Sequence, residues 1–141
     1  MKPLVQREVI APNTLPTPFG VWSPAVLSGP GRLLFLSGLT ARRPDGTVIG
    51  EGDISAQTEQ VCENMGAACL AAGGSLADIA SVTVYVCDIA SFASVHAVRA
   101  RYFPTDPPAS AMVEVSRLVD PRCLIEISAI AVLPNQLQES S

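Results

Sequence analysis

The sequence predicts a single α+β domain over residues 1–141, a mixed sheet with two helices on one face. Three observations predict it. Short strand-like runs outnumber helical patterns, and only two segments carry helical spacing. The chain is short and 48% hydrophobic, enough for one core. Only 16% of residues are charged, so part of the surface should be covered by another copy.

The elements follow in order. Val5 to Ile10 reads as a short edge strand. Pro12, Pro16, Pro18 and Pro24 then hold the chain extended, because proline fixes φ and disfavours a helix before it. Leu33 to Leu36 is a continuous apolar run ended by Ser37-Gly38, which reads as a buried strand. Pro44-Asp45-Gly46 is a turn, and Thr47-Val48-Ile49 is expected as the returning strand of a hairpin.

Asp53 can cap a helix running to about Ala72, with Ile54, Val61, Met65 and Ala68 on one face. Gly73-Gly74 ends it. Ile79 to Cys87 is rich in Val and Tyr and reads as a strand. Ser91 is expected to cap a second helix to Phe103, which Pro104, Pro107 and Pro108 terminate. Ala109–Ser116 and Cys123–Leu133 supply the last two strands. The tail from about 135 to 141 is polar and is expected to fray. The predicted order is β-β-β-α-β-α-β-β.

Charge and cysteine usage exclude several classes. The net charge is −4 and the basic residues are scattered, with Arg42-Arg43 the only adjacent pair. A nucleic-acid footprint needs clustered Lys and Arg, so no nucleic-acid partner is expected. No apolar run approaches a membrane span, and the N-terminus lacks a signal-peptide pattern. A cytoplasmic protein with no membrane partner is expected. Cys62, Cys69, Cys87 and Cys123 form no CxxC pair and no Cys/His cluster, so no metal is expected. They read as small buried apolar groups, with Cys87 the best placed of the four for chemistry.

Several segments resemble the RidA/YjgF family, also called YER057c-like or endoribonuclease L-PSP. They are Trp22 to Val26, Phe35-Leu36-Ser37-Gly38, Gln57 with Asn64, and Ala72 to Ile79. Val84 to Ile89, Tyr102-Phe103, Pro108-Ala109, Val113 to Leu118 and Ile125 to Ala131 complete the ordered set. The resemblance implies a chorismate-mutase-like fold packed as a homotrimeric barrel with the helices outside. It implies small-molecule pockets at the subunit interfaces, hydrolysis of reactive enamines and imines, and no cofactor.

The chain departs from the family where the chemistry is expected. Deaminating members carry an arginine after Pro-Ala that grips the substrate carboxylate; here that position is Ser110, followed by Ala111 and Met112. A glutamate near the end of the last strand is replaced by Ser128, and an N-terminal tyrosine by Trp22. Losing both charges together avoids stranding one of them, which would cost about 3–5 kcal/mol. The expectation is a neutral, hydroxyl-lined pocket with little hydrolysis of simple 2-imino acids.

Replacement chemistry has several candidates. His96, the only histidine, could act as general acid or base, or could be an edge-of-core residue beside Phe92 and Val95. Arg42 and Arg43 lie in a loop similar to that of 2-aminomuconate deaminases of this family, and could bind a carboxylate or stand in solvent. Glu114 shares a strand face with Ser110 and Met112, and is expected to pair with Arg117 or Arg122, or to act in catalysis. Gly38, Cys87, Phe103 and Met112 join Trp22 as substrate-binding candidates, while Ser110, Ser128, His96 and Glu114 are the catalytic ones. Arg99, three residues after His96, could face the same cleft, but reads first as an exposed helix charge with a buried stem. Two functions are carried forward: an enzyme on a small enamine, imine or related conjugated molecule (by hydrolysis, tautomerisation or cyclisation), and a non-catalytic metabolite-binding trimer. A ribonuclease is disfavoured by the acidic charge balance.

Overall fold

The computed structural model describes residues 2–135. Most of the tail expected to fray, 136 onward, lies outside them. Six strands and two main helices follow in the order β1 (Arg7–Ile10), β2 (Ala25–Ser28), β3 (Arg32–Leu39), α1 (Ile54–Ala71), β4 (Ile79–Val86), α2 (Phe92–Tyr102), β5 (Ala109–Glu114) and β6 (Ile125–Leu133). The main sheet runs β3-β6-β4-β5, and β1-β2 form a separate antiparallel ribbon. Only β4 and β5 are parallel, with α2 as the crossover between them. This is the α+β fold that the strand and helix patterns predict.

The order of elements is the predicted one, but its membership differs at two points. Ala25–Ser28, expected only as part of an extended passage, is a strand paired with β1. Thr47–Ile49 is not a strand; Val48 makes a single bridge to Arg42 around the Pro44-Asp45-Gly46 turn. Gly46 there has φ +86°, the conformation glycine tolerates best. A loop of 14 residues between β3 and α1 does not extend the sheet.

Both helices lie on one face of the sheet. Val61, Cys62, Met65 and Cys69 of α1, with Ile79, Val84, Ile125 and Ile127 of the strands, are fully buried. Each such aliphatic side chain contributes about 1.5–3 kcal/mol. Asp53 caps α1 by accepting from Ala56 N, as expected. Ser91 does not cap α2 through its side chain; Asp88 accepts from Ala90 N at the start of a single 3-10 turn that leads into α2. The opposite sheet face is open and apolar. Leu33, Phe35, Val113 and Ile130 are all exposed there, so β3 is buried on one face only. The alternation along a half-covered sheet explains why Leu36 is buried while Phe35 is not.

Two polar side chains hold the loops around the core. Gln57 is fully buried; its Nε2 donates to Arg122 O and its Oε1 accepts from Leu124 N. Asn64 Nδ2 reaches Thr40 O and Arg42 O, tying α1 to the loop after β3.

Candidate functional site

The segment before β2 is pinned across the start of β5. Ser23 N donates to Pro108 O, Ser23 Oγ donates to Pro107 O, and Ser23 bridges Ala109. That anchoring lays Phe19 and Trp22 over α2. Phe19 and Trp22 meet edge-on at 4.6 Å, and Trp22 meets His96 edge-on at 5.9 Å. Phe92 stacks on His96 at 3.9 Å, one helical turn away. Below these rings α2 presents Arg99 and β5 presents Ser110 and Met112. Together they enclose a cleft of about 190 Å³.

His96 is buried. Its Nδ1 lies 3.1 Å from Phe92 O, a carbonyl that can only accept, so the proton resides on Nδ1. Nε2 is then the lone-pair nitrogen, and it is buried without a partner. Burial, and next the neighbouring Arg99 charge, push the His96 pKa below its usual value, against a smaller opposite effect of the Phe92 carbonyl. The ring is therefore a neutral base at physiological pH. Gly20 makes room for it: a Cβ there would come within 2.3 Å of His96 Nε2 and 2.5 Å of the Trp22 ring.

Arg99 is not an exposed charge with a buried stem. It is 1% exposed, and its Nη2 donates to Val21 O at 3.1 Å and to Ser110 Oγ at 3.2 Å. Its Nε and Nη1 are buried without partners. Burial lowers its pKa to about 10, which leaves it charged at neutral pH. Cys62 is near enough to sense it, but burial raises that thiol to about 12, so Cys62 supplies no negative charge. The neutral, hydroxyl-lined pocket expected from Ser110 is thus corrected: the cleft contains a cation contributed by the helix. Chain position hid it. A charge on a helix is exposed by default, and only the packing of α2 against β5 turns this face inward.

Of the sequence candidates, Trp22, His96, Ser110 and Met112 meet in this cleft. The others do not, within one subunit. Ser128 lies on the opposite sheet face from Ser110: Thr83 stands opposite both Ser128 and Ala111, and Ala111 alternates with Ser110. Within one subunit the two serines therefore line different hollows. Ser128 lines a shallow hollow of the open face with Phe35, Thr83 and Ile130. Gly38 is also away from the cleft, packed so closely on Glu126 that a Cβ would meet its carboxylate at 2.2 Å.

Glu114 pairs with neither Arg117 nor Arg122; its Oε1 accepts from Ile89 N at 3.0 Å, fastening the turn into α2. Arg42 forms an ion pair of 2.8 Å with Asp120, which also holds Arg122, and Arg43 is exposed. Within one subunit their loop is solvated. Phe103 belongs to the core and to a different hollow beside Arg7 and Tyr102. Cys87 is half-buried, its Sγ 3.8 Å from Cys123 O. Among the described residues no group of His, Cys, Asp or Glu could hold a metal ion, and no helix is long and apolar enough to cross a membrane.

Sheet order, helix placement and cleft together define an α+β domain of the Rid class. The sequence model described as Endoribonuclease L-PSP matches residues 13–133, and the chain belongs to that family, the RidA/YjgF family. A RutC family protein of Pyrococcus horikoshii is 45% identical over 125 residues, 89% of this chain and 97% of its own. The 3-aminoacrylate deaminase RutC of Acinetobacter baylyi is 34% identical over 125 residues, 89% of this chain and 97% of its own. The crystal structure of YyfB from Yersinia pestis, of the conserved Rid protein family, superposes with a TM-score of 0.83 at 37% identity, covering 90% of this chain and 98% of that one.

Proposed function

We propose that this chain is a deaminase-like enzyme of its family, hydrolysing a small reactive imine or enamine in the cleft between α2 and β5. The observation that carries the reading is the unpartnered Nε2 of His96, a neutral base inside an aromatic enclosure. Support also comes from the name of the Acinetobacter relative, a 3-aminoacrylate deaminase.

The chemistry asks little of the protein. Water adds to the C=N carbon as His96 Nε2 takes one of its protons. The imine nitrogen is protonated, the carbinolamine collapses, and ammonia leaves as C=O forms. One water is consumed for each ammonia released. An enamine first takes a proton at carbon to become the imine. Phe19, Trp22 and Phe92 would flank a planar conjugated substrate, and the burial of His96 keeps its imidazole unprotonated and able to accept a proton. Ser110 Oγ would hydrogen-bond the substrate or the water.

The family's trimer is part of this proposal. The exposed row Leu33, Phe35, Val113 and Ile130 is the surface that three copies would bury. In that assembly Ser128 and Glu126 would face the central barrel, and the cleft would be completed by a neighbour. A single species of three-subunit mass in light scattering is expected; a monomer at micromolar concentration would contradict it.

The second reading, a binding protein without turnover, has one observation in its favour: no carboxylate lines the cleft to share the work of His96. Ammonia release from 2-iminobutanoate and 2-aminomuconate separates the two. Hydrolysis well above the buffer rate, lost by at least about a hundredfold in His96→Gln, supports the enzyme. Binding of substrate analogues with no release above buffer supports the second reading.

A further inference from the structure

We propose that Arg99 is the carboxylate-binding residue of the cleft, so that the ligand is a small planar carboxylate even though strand position 110 carries no charge. The inference rests on the cleft being the ligand site, and names the class of molecule it accepts.

Three features carry it. Arg99 is 1% exposed and lines the cleft, yet none of the ion pairs among the described residues includes it. A buried cation without a counter-charge is costly, and proteins that retain one usually pair it with something. Second, the guanidinium is held from one end only. Nη2 is engaged by Val21 O and Ser110 Oγ, which fixes the plane of the group. Nε and Nη1 keep their N–H groups free and out of solvent. A carboxylate is the acceptor such donors fit best.

Third, the surroundings are otherwise neutral. The Ser110 and Cys62 side chains stay uncharged, and His96 is a free base. Nothing in the cleft would repel an anion. Ser110 then has a definite part. Its hydroxyl does not replace the missing strand arginine; it positions the arginine of the facing helix. Within one subunit the cleft holds about 190 Å³, room for a carboxylate and a few further heavy atoms beside Arg99.

The test uses crotonate and crotonamide, two planar conjugated molecules of the same size that differ in charge. Isothermal titration of the full chain should show crotonate binding at least about tenfold tighter than crotonamide. Arg99→Met should erase that preference while leaving crotonamide binding within about twofold. Its unliganded melting temperature should be no lower than that of the unmodified protein, because a lone buried charge has gone. If Arg99→Met does not fold, Arg99→Lys takes its place, with the preference expected to fall at least fivefold. Equal affinity for the two ligands, or a preference that survives the substitution, overturns the proposal. The outcome is separable from the catalytic reading. Charge-selective binding without ammonia release would leave Arg99 in place and remove the hydrolase, whereas imine hydrolysis without charge selectivity would do the reverse.

Discussion

Arg99 of α2 and Ser110 of β5 are joined across 3.2 Å, Nη2 donating to Oγ. The contact brings a buried cation from the helix to strand position 110, which carries no charge of its own. It has a direct consequence for engineering. Ser110→Arg places two guanidiniums side by side in a half-buried site. At 4 Å and an effective dielectric near 20 their repulsion is about 4 kcal/mol, and relaxation toward solvent should leave roughly 2 kcal/mol or more of lost stability. Thermal melts should show Ser110→Arg several degrees below the unmodified protein, and the double variant Arg99→Met/Ser110→Arg restored toward it. If Ser110→Arg melts at the native temperature, the two positions do not share one site.

The pH dependence follows from His96. Its folded pKa lies below the unfolded value of about 6.5. Between the two, the unfolded chain binds a proton that the folded chain refuses, so stability rises with pH in that window. The contribution is intact above about pH 6.5 and is lost as pH falls through the folded pKa. Chemical denaturation at pH 7.5 and pH 5 should therefore show a larger loss on acidification for the unmodified protein than for His96→Gln. Equal losses would mean that the ring is not held neutral by its surroundings. Catalysis that uses the free base should persist somewhat below pH 6.5 and fail only at the lower, folded value.

Gly20 sets the depth of the cleft. A methyl group there would overlap both His96 Nε2 and the Trp22 ring. Gly20→Ala should cost about 1–3 kcal/mol, as overpacking does, and should lower kcat/KM at least tenfold by displacing the base. A crotonate titration checks the first shell of the effect without turnover. Native affinity and native activity together would show that the loop moves aside freely.

Gln57 offers a control remote from the cleft. It satisfies Arg122 O and Leu124 N, two backbone groups at the entry to β6. Gln57→Leu keeps the bulk and orphans both groups, at about 1–3 kcal/mol each. Urea unfolding should report a loss of roughly 2–5 kcal/mol, while ligand selectivity at saturating crotonate stays native. A loss below about 0.5 kcal/mol would mean that water replaces the amide.

How far the sequence was legible divides by the range of the interactions. Both helices, the Asp53 and Gly73 boundaries of α1, and strands β3 to β6 follow from local periodicity and turn chemistry, which are written in neighbouring residues. β2 was missed because Pro24 precedes it and its four residues pair only with β1, a partner 18 positions away. Thr47–Ile49 has strand composition but no strand beside it to complete. Trp22, His96, Ser110 and Met112, singled out by family spacing, line one cleft. The cleft-facing orientation of Arg99 was the less favoured of two readings, because a helical arginine beside a lone histidine carries no local sign of which way it faces. Ser110 and Ser128 were paired in expectation on shared chemistry, but the strand register puts them on opposite faces. Which way each of these side chains faces depends on which helix packs on which strand, and neighbouring residues do not record that.

The parallel pairing of β4 with β5 has a wider meaning. Two parallel neighbours force the chain to leave the sheet and return, and here the return path is α2. The inward face of the helix and the inward face of β5 are thus two walls of one short detour, only eleven residues apart between Arg99 and Ser110. A side chain on one wall therefore lies within one contact of the other, as Arg99 does of Ser110. An aligned-column motif that demands arginine on the strand would score such a chain as inert. A motif defined over the detour as a whole, asking whether either wall supplies the cation, would not.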